Sequence, residues 1–140
     1  MDTFNEKVNQ QVERLQTLSS REIESAVAQK RIDWVQRHVS DGSPSGLTPR
    51  QAYELLFFDY MGLDGAELPV VSESDTQITW RSQNACPTLQ ACIQLGLDTR
   101  KVCRASYEKS TQAFLSQIDP QLRFLRSYRE IRPYTSYCLE

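Results

Sequence analysis

Apolar side chains in the first forty residues recur at intervals of three and four. Phe4, Val8, Val12, Leu15 and Leu18 form one stripe, and Ile23, Val27, Ile32, Val35 and Val39 a second. A strand would place them at every second residue. This spacing instead lays an apolar face along a helix whose other faces are polar. Such a helix holds in water only when its stripe is covered, so the rest of the chain, or a second copy of it, must supply the cover. Ser19-Ser20-Arg21-Glu22 has the form of a capping box and restarts the helix after a kink. The run stops at the loop Asp41-Gly42-Ser43-Pro44-Ser45-Gly46. Residues 1–42 are therefore read as a helical N-terminal segment of one long or two successive helices, a packing element that also offers a homodimer surface. The single histidine, His38, falls near a helix end and reads as a surface or capping residue.

Residues 47–140 read differently. Thr48-Pro49-Arg50-Gln51 is a second helix start, with Thr as cap and Pro in the first position. That helix runs through the all-round apolar Leu55-Leu56-Phe57-Phe58 to Gly62 and belongs in the core. Asp59 reads as a carboxylate on its exposed edge. Leu68-Pro69-Val70-Val71 and Gln77-Ile78-Thr79-Trp80-Arg81 have the alternation of two short strands, joined by the turn Ser72-Glu73-Ser74-Asp75. Residues 87–95 make a short helix ending at Gly96. Asp98-Thr99 caps another that runs to about Gln117, before Asp119-Pro120 stops it. Gln121 to Tyr128 alternates again, with Leu122, Phe124 and Arg126 on one side, and reads as a third strand. The fold expected is α+β in a single domain: N-terminal helices packed with a small antiparallel sheet of about three strands and two cysteine-bearing helices.

Charge narrows the function classes. The net charge is −2, with residues 1–97 carrying 8 Lys/Arg against 13 Asp/Glu and residues 98–140 carrying 8 against 5. Nothing in that balance suggests a nucleic-acid or membrane partner. Arg123, Arg126, Arg129 and Arg132 recur every third residue, which on a strand scatters them over both faces, so they read as solvated arginines. No run approaches the roughly 18 apolar residues of a membrane span, and the first residues lack the pattern of a signal peptide. The expectation is a cytoplasmic protein whose thiols are reduced or metal-bound.

The chemistry sits in the four cysteines, Cys86, Cys92, Cys103 and Cys138, three of them between Asn84 and Arg104. Pro87 suits the first position of a helix, which puts Cys86 at the cap, facing free backbone N–H groups and the positive end of the helix dipole. A thiol held there is expected to ionise readily and to act as a nucleophile. Cys92, between Ala91 and Ile93, reads as a small buried hydrophobe, and Cys103 looks inward from its helix. Cys138 implies a tail that returns to the core to place a thiol. The spacing is not the close pairing of zinc ribbons or ferredoxins. A cage of Cys86, Cys92, Cys103 and Cys138 around zinc or an iron–sulfur cluster nonetheless stands as the alternative, since thiolates select such metals.

Cys86-Pro87, Leu95-Gly96-Leu97, Cys103, Asp119-Pro120-Gln121-Leu122 and the final Cys138 together resemble the L-2-amino-thiazoline-4-carboxylic acid hydrolase-like proteins, over roughly residues 78–140. The resemblance places Cys86, Cys103 and Cys138 on that family's recurrent cysteines. It implies hydrolytic opening of a small, carboxylate-bearing sulfur and nitrogen heterocycle. On that reading a cysteine thiolate attacks the C=N carbon, Arg81, Arg104 or Arg126 grips the substrate carboxylate, and Glu108 or Tyr107 moves protons.

Overall fold

The computed structural model describes residues 3–39 and 47–140. The loop expected at 41–46 lies outside them. The N-terminal segment is two helices, α1 (Phe4–Thr17) and α2 (Ser20–His38), each opened by a capping box, Thr3 with Glu6 and Ser19 with Glu22. The chain breaks at Leu18, which is extended. The stripes are covered from within the chain. Val8, Ile23 and Val35 are buried, α1 packs on α4 (Pro87–Leu95), and α2 packs on α5 (Thr99–Ser106) and α6 (Glu108–Ile118). Phe4 and Leu18 stay exposed.

The third helix, α3 (Pro49–Glu54), starts with the expected Thr48–Gln51 capping box and passes directly into a π-helical turn over Leu55–Tyr60. Its wider winding shows in the Met61 N–H, which donates to the Leu56 carbonyl at 3.0 Å. Ala52, Tyr53, Leu56 and Phe57 are buried here. The Tyr53 hydroxyl, which would otherwise be orphaned, donates to the Leu68 carbonyl at 2.6 Å. Tyr53, Phe57 and Trp80 meet edge to face or tilted, with ring centres 5.1–5.6 Å apart.

The first two strands are β1 (Val70–Glu73) and β2 (Ile78–Ser82), antiparallel, with a bulge between Val70 and Ser72. The third is not where the alternation placed it. It is β3 (Cys138–Leu139), which pairs antiparallel with the other edge of β2, Arg81 opposite Leu139 and Ser82 opposite Cys138. Residues 121–128 have no regular structure. Their backbone is satisfied by a side chain: the Phe124 N–H donates to Gln112 Oε1, and Gln112 Nε2 donates to the Leu122 carbonyl, both at 2.9 Å. With these groups taken by α6, the segment does not pair as a strand there. Farther along, the Ser127 N–H reaches the Leu139 carbonyl at 2.9 Å.

The helix expected from Asp98 to about Gln117 is also two elements. It breaks at Tyr107, whose carbonyl accepts from the hydroxyls of Ser110 at 2.7 Å and Thr111 at 3.3 Å. Such local side-chain bonds compete with regular helix winding. Gly96 closes α4 at φ 67°, a left-handed conformation that suits glycine. No helix among the described residues is long and apolar enough to cross a membrane.

Candidate functional site

The returning tail builds the site. Two backbone bonds, from Trp80 N–H to the Glu140 carbonyl at 2.9 Å and from Glu140 N–H to the Trp80 carbonyl at 3.0 Å, extend the β2–β3 ladder by one residue. Cys138 and Glu140 are two residues apart on this strand and so share a face. Each meets an arginine from the irregular segment before it.

Cys138 meets Arg132. Its Sγ accepts from the Arg132 backbone N–H at 3.4 Å and from Arg132 Nε at 3.3 Å. The guanidinium is fixed in turn, because its NH1 donates to the Asn84 carbonyl at 2.5 Å. The Arg132 carbonyl accepts from the Thr99 hydroxyl at 2.7 Å, which ties this corner to the start of α5. Two N–H donors on one sulfur, one of them charged, form a cradle suited to a sulfur anion.

Cys86 lies beside this corner. It caps α4 as expected, its Sγ accepting from the Leu89 N–H at 3.4 Å. Its ionisation runs opposite to expectation. Burial pushes the thiol up, and the Leu89 N–H and the Arg132 charge, which act the other way, do not reverse it. Cap geometry is a local property readable from Cys-Pro, whereas desolvation depends on what packs over the cap. Cys103, on α5, is raised to about 12, chiefly by burial, and the charges of Arg126, Cys86, Cys92 and Cys138 all act on it. Cys92 is fully buried in α4 and raised to about 11, again by burial first. The reading of Cys92 as a packing residue fits that position. All four cysteines are free thiols.

The four-sulfur cage does not assemble. Among the described residues no group of three or more His, Cys, Asp or Glu side chains stands where it could hold a metal ion. Two of the sulfurs already serve backbone donors, Cys86 at Leu89 and Cys138 at Arg132.

The remaining candidates are dispersed. Tyr107 sits at the α5–α6 break and donates to Gln11 Oε1 of α1 at 2.5 Å. Burial raises it, and Cys103 and Cys86 are near enough to act on it. Glu108 opens α6 beside the Tyr128 phenol, which is raised to about 12 by burial and then by Glu108. Arg104 is exposed and stacks over the Tyr128 ring at 4.2 Å. Arg81 is exposed on the face of β2 opposite buried Ser82 and stacks on Tyr137 at 4.4 Å. Arg126 is interior but already engaged. Its guanidinium meets Glu140 Oε2 at 2.6 Å, and Glu140 Oε1 accepts from the Ser82 hydroxyl at 2.7 Å and from Trp80 Nε1 at 3.2 Å. Burial depresses the Arg126 guanidinium, the carboxylate more than reverses this, and the net direction is up.

Sequence reasoning missed Arg132, Asn84 and Glu140. The signal available was the tail itself: Cys-Leu-Glu places a thiol and a carboxylate on one strand face. The arginines at every third residue divide on an irregular backbone, Arg126 and Arg132 turning inward while Arg123 and Arg129 stay exposed. His38 is exposed, as expected, its Nδ1 donating to the Trp34 carbonyl at 3.0 Å.

A cavity of about 390 Å³ opens between α3, β2 and the irregular segment, walled by Tyr53, Phe57, Trp80 and Phe124, with Glu140 also lining it. No cysteine lines it, so cavity size and thiol chemistry point to different places. The thiol corner carries the reactive groups and is the stronger candidate for chemistry. No known family model matches the chain, and no curated protein or solved structure matches it either.

Proposed function

We propose that the chain is a cysteine-dependent hydrolase acting on a small carboxylate-bearing sulfur and nitrogen heterocycle, with Cys138 as the nucleophile. The observation that carries this reading is the pair of Arg132 donors on the Cys138 sulfur. A thiolate is the reactive form of cysteine, and a fixed guanidinium is among the groups that favour it. Cys138 is only partly buried, so a small substrate can reach it.

In the proposed reaction the Cys138 sulfur adds to the ring C=N carbon, and the ring nitrogen takes up a proton. The C–N bond then breaks with its electron pair leaving on nitrogen. Water adds to the same carbon and displaces the cysteine sulfur, so one water is consumed and the thiolate is restored. Tyr107, which burial keeps protonated and which lies near Cys86 and Cys103, is the group proposed to supply the proton. Cys86 and Cys103 stay neutral in this scheme and shape the wall around the reacting sulfur.

The test is turnover of 2-amino-thiazoline-4-carboxylate, followed by loss of the ring chromophore and release of a cysteine derivative. Cys138→Ser is expected to abolish it, Arg132→Gln to slow it strongly, and Cys92→Ser to leave it nearly intact. Turnover that survives Cys138→Ser but is lost in Cys86→Ser would return the nucleophile to Cys86.

A further inference from the structure

A second feature stands apart from the thiols. Arg31 enters the interior from α2. Its NH1 donates to the Thr111 hydroxyl of α6 at 2.9 Å, and its guanidinium lies over the Tyr60 ring at 5.7 Å, the ring that the π turn delivers. Its Nε is buried and has no hydrogen-bond partner among the described residues. The guanidinium is strongly desolvated, and both Arg126 and Glu140 act on it. Glu140 is already committed to Arg126 at 2.6 Å, with its other oxygen held by Ser82 and Trp80. Two guanidiniums therefore face one carboxylate, which leaves one positive charge in the interior without an anion.

An unpaired buried charge with an unsatisfied donor is costly, and the cost is relieved when an anion completes the pair. A guanidinium fork fits a planar oxyanion in a way a point charge does not. The Arg31 side chain keeps some exposed surface, so a small solute can reach it. We infer that Arg31, backed by Arg126 and Tyr60, forms an internal binding site for a small carboxylate. The site does not depend on the cysteine chemistry. Its occupant is a monocarboxylate of acetate size or slightly larger, and a carboxylate-bearing substrate would be one case of it.

The experiment is a titration of the full chain with sodium acetate against sodium chloride at equal ionic strength, reading the thermal midpoint and the arginine Nε–H resonances by NMR. Acetate is expected to raise the midpoint saturably beyond chloride and to shift one Nε–H signal, that of Arg31. Arg31→Met is expected to remove the acetate-specific rise. Arg31→Lys, which keeps the charge but loses the fork, is expected to weaken apparent affinity about tenfold, the scale of one lost charge-assisted hydrogen bond. Equal responses to acetate and chloride would overturn the inference, as would an acetate effect that persists in Arg31→Met. Should that variant fail to fold, the Nε–H titration of the unsubstituted protein decides alone: a signal that does not move overturns the site. Because Arg31 is assigned no part in the cysteine step, loss of turnover in Cys138→Ser with the acetate response retained separates the two proposals.

Discussion

Arg126 and Arg132 leave the same irregular segment, six residues apart, and each reaches a residue on the same face of the final strand. Arg126 finds Glu140 at 2.6 Å, and Arg132 finds Cys138 at 3.3 Å. The geometry repeats and the chemistry does not. A carboxylate is ionised throughout the physiological range, so the first pair is a standing buried ion pair, with Glu140 only 5% exposed. A thiol takes up or releases its proton with its surroundings, so the second arginine faces a group whose charge is conditional. One pair holds the tail in place, and the other, on the same scaffold, is left for chemistry.

That contrast can be broken by substitution. The largest effect is expected from Glu140→Gln, which leaves Arg126 buried without its anion. A loss of about 3–5 kcal/mol is expected from urea denaturation. Cys138→Ala should cost far less, about 1 kcal/mol, because Arg132 keeps its bond to the Asn84 carbonyl. Equal losses in the two variants would mean that the pairs do the same job. Between these falls Gln112→Leu, which strips the Leu122 and Phe124 backbone groups of their partner. It is expected to cost about 1–3 kcal/mol and to speed amide exchange across residues 122–124.

Smaller effects sharpen the distinction among the thiols. Alkylation with iodoacetamide near pH 8, mapped by mass spectrometry, is expected to label Cys138 first. Cys92 and Cys103, raised to about 11 and about 12, stay protonated there. Labelling of Cys103 ahead of Cys138 would invert the assignment. Because those two thiols titrate higher when folded than when unfolded, their contribution is fully present below the ordinary thiol value of 9.0. It is lost as pH rises from there through about 11 to 12. Alkaline denaturation in that window is expected to ease in Cys103→Ala. The smallest change expected is Ser19→Ala, which removes the α2 cap for about 1 kcal/mol, read as a shift in the denaturation midpoint.

How much of this was legible in the chain depended on the range of the interaction. The caps at Ser19, Thr48 and Cys86 were readable because each is closed within a few residues of itself. The β1–β2 hairpin was readable for the same reason. Gln121–Tyr128 was misread as a strand because alternation reports which side chains turn inward, while strand formation also needs a free backbone partner. Gln112 supplies a substitute from α6. The Cys86 cap was placed correctly and its ionisation was not, since the burial that raises it comes from distant segments. Arg31 and Glu140 escaped notice because nothing local marks an interior arginine on an amphipathic helix or a carboxylate at the end of a tail.

The π turn over Leu55–Tyr60 bears on which length changes the chain tolerates. A π turn holds a residue more than the α-helical turn it replaces. Deleting one residue there would restore an ordinary helix with little local damage, yet it would swing everything beyond it by about 100° around the axis. Tyr60 would leave the Arg31 guanidinium and the edge of Trp34, which it now meets with ring centres 5.3 Å apart. The local helix would look improved while the interior lost its register, so chains that keep this interior should keep the extra residue.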